Sequence, residues 1–183
     1  VSVLEMAFTE IVITGCGNPL FADDGFGPAV VEELSRLSLP DTVKVVDAGL
    51  GGPHFIFTLL DPEVTKRLII IDIADFGGEP GQIVDLKVED LPPGSYRDAH
   101  SWDLTEPLHR IKDDIDITVI CCQPKRVTAP EFEMGLSPEV EGAIPRTVQY
   151  VLELIGVDYG IAIKNLRKEE CQREAEGEAC GDS

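Results

Sequence analysis

The chain is 183 residues long, 43% hydrophobic and 27% charged, with a formal net charge of −19; this fits one folded domain with its own core. The acid excess excludes a sequence-independent grip on nucleic acid or on an anionic membrane surface, because both need a surplus of Lys and Arg. Spread along the whole chain, the acidity reads first as solubility and second as steering of a basic partner segment or a cation.

Residues 10–14 are rich in β-branched side chains and read as a buried strand feeding a glycine turn. Residues 25–37 follow as a helix. Phe26, Val30, Leu34 and Leu37 recur there at three- and four-residue spacing to form one apolar stripe, while Glu32, Glu33 and Arg36 fall off it. A second strand over 43–46 ends in Asp47, and Pro53 opens a helix whose apolar face is Phe55, Ile56, Leu59 and Leu60. Residues 67–73 form the clearest buried strand. Residues 81–88 alternate as a further strand, broken by Leu-Pro-Pro-Gly at 91–94. Trp102, Leu104, Leu108 and Ile111 predict a helix from near Ser101, and 115–122 a strand. Ser137 and Pro138 supply an N-cap and first helical position for one last long helix to about Leu154. Residues 1–163 thus read as a single domain and 164–183 as a charged, loosely attached tail. Alternating strands and helices argue for an α/β fold, a three-layer doubly wound sheet, mostly parallel, with helices on both faces and one antiparallel edge near 81–88.

Five cysteines, Cys16, Cys121, Cys122, Cys171 and Cys180, form no C-x-x-C pair, so a zinc knuckle and a thioredoxin-like motif are both missing. The apolar run 68–71 is closed by Asp72, far short of a membrane span. Glu5, within residues 1–9, stands where a signal peptide would be basic, and a reducing cytoplasm is the expected location.

In doubly wound folds ligands bind beyond the carboxyl ends of the strands, near the point where strand order reverses. Asp23 and Asp24 follow the first strand, Asp47 the second and Asp72 the third; Asp98 and His100 precede the Trp102 helix. One such acid is as often a solvated strand end or a helix cap as a ligand. Several converging from separate loops point to a metal. Two carboxylates and an imidazole suit a borderline divalent ion such as nickel, zinc or manganese and leave positions open for substrate or water. Asp24, beside Gly25, is the expected ligand, and Asp23 the partner that caps the helix or orients the metal shell. The turn Gly15-Cys-Gly17 imitates a dinucleotide fingerprint, but Leu20 stands at the third glycine position, and Asp23 and Asp24 would repel a pyrophosphate. A cation fits the corner better. His54 is a reserve ligand, His109 a surface residue and Cys16 a small packing residue. Cys121 and Cys122 should face opposite sides of their strand.

At GCGNPLFADDGFG, residues 15–27, the chain resembles the hydrogenase maturation endopeptidases, which remove the C-terminal extension of the large subunit of nickel-iron hydrogenases. Asp47-Ala-Gly, the strand ending at Asp72, His100 ahead of an amphipathic helix, and the segment 135–140 agree in order, so the resemblance runs over 11–154. The motif is most similar to the archaeal branch serving the coenzyme F420-reducing hydrogenase. The resemblance implies a five-stranded sheet and a catalytic, nickel-recognising set of Asp24, Asp72 and His100, with Gly17, Asn18, Asp23 and Asp47 in contact with substrate. The first acid is frequently Glu in this family, so Asp24 shortens that arm by one methylene.

The activity so implied is a metal-dependent, aspartic-type endopeptidase, with the nickel-iron hydrogenase large-subunit precursor as partner and neither nucleic acid nor membrane. Nickel is recognised in the precursor, and other divalent ions can substitute. The metal would polarise the scissile carbonyl or activate water, with one carboxylate as base. A non-cleaving nickel-sensing chaperone and a nucleotide-binding enzyme on a Rossmann-like fold are the competing readings. Neither a serine triad nor H-E-x-x-H is visible.

Overall fold

A computed structural model describes residues 8–49, 51–87 and 105–162. Among them five strands occur: β1 (Ile11–Cys16), β2 (Val43–Gly49), β3 (Arg67–Ile73), β4 (Ile83–Lys87) and β5 (Asp116–Cys122). They form one sheet in the order β2-β1-β3-β5-β4. All neighbours are parallel except β4, which runs antiparallel to β5 at the edge expected from its alternating pattern. Strand order reverses between β1 and β3, so the crevice beyond their carboxyl ends is the place for a ligand.

The helices are α1 (Phe26–Ser35), α2 (Gly52–Thr58), α3 (Thr105–Ile111), α4 (Pro138–Glu141) and α5 (Ile144–Leu154). Two cores result. Ile56 of α2, Leu59 just past its end and Leu108 of α3 pack on Val12, Leu68, Ile70 and Val119. On the other face Phe26, Val30 and Leu34 of α1 and Val148, Val151 and Leu152 of α5 pack on Ile13, Ile69, Ile71 and Ile120. Because both faces of β3 are covered, Leu68, Ile69, Ile70 and Ile71 are all 0% exposed, which is why the strand reads as an unbroken apolar run. Burying each of these side chains contributes roughly 1.5–3 kcal/mol. Among the described residues no helix is long and apolar enough to cross a membrane.

Three local expectations need correction. The single last helix is two, α4 and α5, separated at Gly142 and Ala143; Pro145 has no N–H to donate to the Glu141 carbonyl, so the ladder cannot run through. Phe55 is 38% exposed, because a seven-residue helix turns only a narrow face to the sheet and Ile56 and Leu59 fill it. The second strand runs on past Asp47 to Gly49, its register jumping from Gly15↔Asp47 to Cys16↔Gly49 so that Ala48 is bulged. Trp102, Leu104 and the tail at 164–183 lie outside the described residues.

The glycines of the opening motif serve packing. A Cβ on Gly15 would lie 2.3 Å from the Gly27 carbonyl oxygen, and one on Gly27 would lie 2.2 Å from the Cys16 and 2.5 Å from the Ile71 carbonyl oxygens. The backbone of α1 therefore rests directly on β1 and β3 at the switch point. Gly27→Ala should lower stability by about 3 kcal/mol, read as a fall in the urea midpoint. Gly77→Ala, where a Cβ meets nothing within 4 Å and only the φ of 73° resists, should cost about 1 kcal/mol.

Candidate active site at the sheet switch point

Asp24 sits in a 3-10 turn, Asp23–Gly25, between β1 and α1. Its Oδ2 accepts the Asn18 N–H at 2.9 Å. Gly17, at φ 117°, brings the chain so close that a Cβ there would lie 2.0 Å from the Asp24 carbonyl oxygen and 3.4 Å from its Oδ1. Asn18 is buried and its own Oδ1 accepts the Leu20 N–H at 3.0 Å. Residues 17–24 thus fold back over the end of β1. The turn packs against β3, whose carboxyl end carries Asp72, 6% exposed, with Oδ1 accepting the Ile73 N–H at 2.7 Å. Asp24 follows β1 and Asp72 lies near the end of β3, the two strands between which strand order reverses. Carboxylates at this end of the sheet are hard oxygen donors of the kind a divalent ion takes. His100 and Asp98 lie outside the described residues. Among the described residues no group of three His, Cys, Asp or Glu side chains forms a metal cluster.

Asp23 has a different job from the one expected. It is 0% exposed. Its Oδ2 accepts the N–H groups of Lys125 and Arg126, both at 2.9 Å, and the Ser137 hydroxyl at 3.0 Å, while Oδ1 accepts the Ser137 N–H at 2.6 Å. Neither oxygen caps α1, and burial leaves no room for a substrate contact. Ser137 stands at the N-cap of α4 as predicted, yet its hydroxyl is given to Asp23 and caps nothing. A buried carboxylate is costly unless hydrogen-bonded, and here four donors meet it. The result ties the turn to the loop between β5 and α4. Around this tie, Ala22 N–H donates to the Glu133 carbonyl at 2.6 Å and Glu133 N–H to the Leu20 carbonyl at 2.8 Å. Ala22 is held at φ 56°, a conformation that costs a non-glycine residue about 1–3 kcal/mol.

A model of the hydrogenase maturation protease family matches residues 28–154. This chain belongs to that family. Coenzyme F420 hydrogenase subunit delta of Methanothermobacter thermautotrophicus is 47% identical over 152 residues, spanning 81% of this chain and 96% of that protein. Hydrogenase 2 maturation peptidase from a Thaumarchaeota archaeon is 33% identical with a TM-score of 0.60, covering 82% of this chain and 100% of that one. The hydrogenase maturating endopeptidase HybD from E. coli is 26% identical with a TM-score of 0.68, covering 80% and 92%.

The remaining candidates fall around the protease rim in different ways. Asp47 is exposed, with Oδ1 accepting the Gly49 N–H at 2.8 Å. Paired with Gly15, it shares the α1 face, whereas Asp72, paired with Cys121, shares the α2 and α3 face. Asp47 and Asp72 therefore project to opposite sides of the sheet. His54 is in the first turn of α2, and His109 is half-buried on α3. Cys16, Cys121 and Cys122 are buried. Burial, and then the Asp72 charge, pushes the Cys121 thiol up to about 12. Burial, then the Asp23 charge, does the same to Cys122, to about 12, with Arg146 opposing. Neither serves as a nucleophile.

Three structural residues went unread in the sequence, Lys125, Arg126 and Gln123. The backbone donors at 125 and 126 leave no side-chain signature. Gln123 is buried; its Oε1 accepts the Phe76 and Gly78 N–H groups at 3.0 and 3.1 Å, and its Nε2 donates to Asp75 Oδ1 at 3.1 Å, fixing the loop that follows Asp72. The adjacent acids themselves were a usable signal: successive residues of a 3-10 turn point roughly 120° apart, so one of the pair turns inward. Asp23→Ala, leaving buried donors without an acceptor, should cost about 3 kcal/mol, measured by thermal or urea unfolding. At pH 9, three units below a thiol pKa of about 12, only about 0.1% of Cys121 or Cys122 is thiolate. Peptide mapping after iodoacetamide treatment of the native protease should find both unmodified, with labelling only after denaturation.

Proposed function

We propose that the protease removes the C-terminal extension of a nickel-loaded nickel-iron hydrogenase large-subunit precursor, and that Asp24, Asp72 and His100 recognise the nickel carried by that precursor. The observation behind this reading is that Asp24 follows β1 and Asp72 lies near the end of β3, the two strands between which strand order reverses and beyond which a doubly wound sheet binds its ligand. The printed name of the 47% identical relative, coenzyme F420 hydrogenase subunit delta, favours the F420-reducing enzyme as the source of the precursor. A cytoplasmic setting goes with this reading.

Nickel here is cargo of the substrate. An ion already held by the precursor needs few further donors, and two carboxylates with an imidazole leave its other positions to the substrate. A loaded precursor gains those contacts and an empty one does not, so engagement reports loading. Asp24, half-buried and held by the Asn18 N–H, keeps its carboxylate aimed without depending on the ion. A carboxylate beside the scissile bond can also take the proton of an attacking water.

The test is an intact-mass assay on the precursor, incubated with the protease after loading or without it. Loaded precursor should lose its C-terminal extension and unloaded precursor should not. Asp24→Asn, Asp72→Asn and His100→Ala should each lower processing about 100-fold or more while circular dichroism stays native, and His109→Ala should process normally. Full activity in any two of the three variants would remove the proposed site. Nickel-dependent binding without mass loss would assign a non-cleaving chaperone instead.

A further inference from the structure

The same loop that clamps Asp23 carries the most exposed large apolar side chains among the described residues. Phe132 is 76% exposed and Met134 75%, with Val127 at 44% and Leu20 at 39%. Single exposed apolar residues are ordinary, but a cluster marks a surface that something covers. These four belong to one small structure. The Phe132 ring stacks on Phe21 at 5.7 Å between centroids and 16° between planes. Glu133 N–H donates to the Leu20 carbonyl, and Val127 bridges to Ala22. Met134 walls a groove of 520 Å³ with Pro19, Ala22, Gly25, Pro28 and Leu136. The groove reaches Gly25, the residue after Asp24, and so begins at the rim of the candidate site.

Charge narrows the choice of occupant. The charged residues lining the groove are Glu32 and Asp47, with Glu32 also paired to Arg36 at 2.6 Å. Lys125 and Arg126 of the loop are engaged by Glu139 and Glu133 at 2.6 and 2.7 Å, and Glu131 adds an exposed acid. The surface is thus apolar with an acidic fringe, on a chain of net charge −19. A second copy of this chain brings the same charge and is repelled, whereas a segment combining apolar side chains with Lys or Arg is complementary.

We propose that this groove, walled by Met134, together with the exposed Phe132 of the same loop, docks a segment of the large-subunit precursor carrying apolar side chains and at least one Lys or Arg. The proposal rests on the precursor being the substrate, as above. Methionine and aromatic side chains suit such anchoring, and docking beside Asp24 places the bound chain within reach of the carboxylate rim.

The experiment compares wild type, the double variant Phe132→Ser/Met134→Ser, and Met134→Ser alone, which leaves the ring stack in place. Phe55→Ser, on α2 across the sheet, is the control. With nickel-loaded precursor, the double variant should raise KM about tenfold with kcat within about twofold. Met134→Ser should give a smaller rise and Phe55→Ser none. For wild type, KM should climb as salt increases from about 50 to about 500 mM. Binding of the loaded precursor, measured by interferometry without regard to cleavage, should show the same order of Kd. If wild type cleaves and the double variant keeps its KM, the docking surface is wrong and the protease reading stands. If wild type does not cleave, the protease reading fails, and equal Kd for wild type and double variant overturns the docking surface as well. A wild-type dimer that the double variant dissolves would assign the patch to self-association and overturn the proposal.

Discussion

A carboxylate with no exposed surface, Asp23, holds together two segments 114 positions apart in the chain. Removing such a charge from water is expensive, and the site is stable only because both oxygens are filled by donors from the loop after β5 and from the start of α4. That requirement fixes the geometry of everything beside it. With Asp23 turned inward, the 3-10 turn directs Asp24 elsewhere, toward the end of β1, where the Asn18 N–H meets it. Gly15 and Gly27 act from the other side by letting α1 lie directly on the strands. The rim is therefore positioned by backbone approach and by one desolvated anion together.

Much of the architecture was legible because burial leaves a pattern. A strand covered on both faces, such as β3, shows an unbroken apolar run, and an edge strand such as β4 alternates. The apolar stripe predicted Phe26, Val30 and Leu34 on the buried face of α1, while Val31 joins them unannounced and Leu37 falls past the helix end. What escaped depends on partners distant in sequence or on backbone atoms that any residue carries. Ser137 has the local signature of a helix cap, but a remote carboxylate competes for its hydroxyl and wins. Between Asp23 and Asp24 no local rule decides which is buried; the donors at 125, 126 and 137 do. The break between α4 and α5 was readable from Pro145 but was masked by the strong start signal at Ser137 and Pro138. At the candidate site, Asp24 comes from the turn after β1 and Asp72 from near the end of β3, while the pleat of β2 turns Asp47 to the face opposite Asp72.

The opening glycine motif shows how one local geometry can carry opposite chemistry. A strand, a glycine turn and a helix start make an anion site when backbone N–H groups face the ligand. Here Gly15 faces the α1 backbone and the turn's own carboxylates occupy the corner. Membership of the hydrogenase maturation protease family accords with that inversion of charge. A doubly wound sheet retains its usual place for a ligand while changing what it can attract.

The seclusion of the sulfur atoms has a further chemical meaning. All three described cysteines are buried, and two of them stay protonated up to about 12, so thiolate, the softest ligand proteins possess, is withheld from the rim. Carboxylates hold nickel less tenaciously than thiolates do. Under the proposed reading, in which the ion belongs to the precursor, that weakness would be useful: contact could be brief and reversible, and the metal would stay with its owner when the two part.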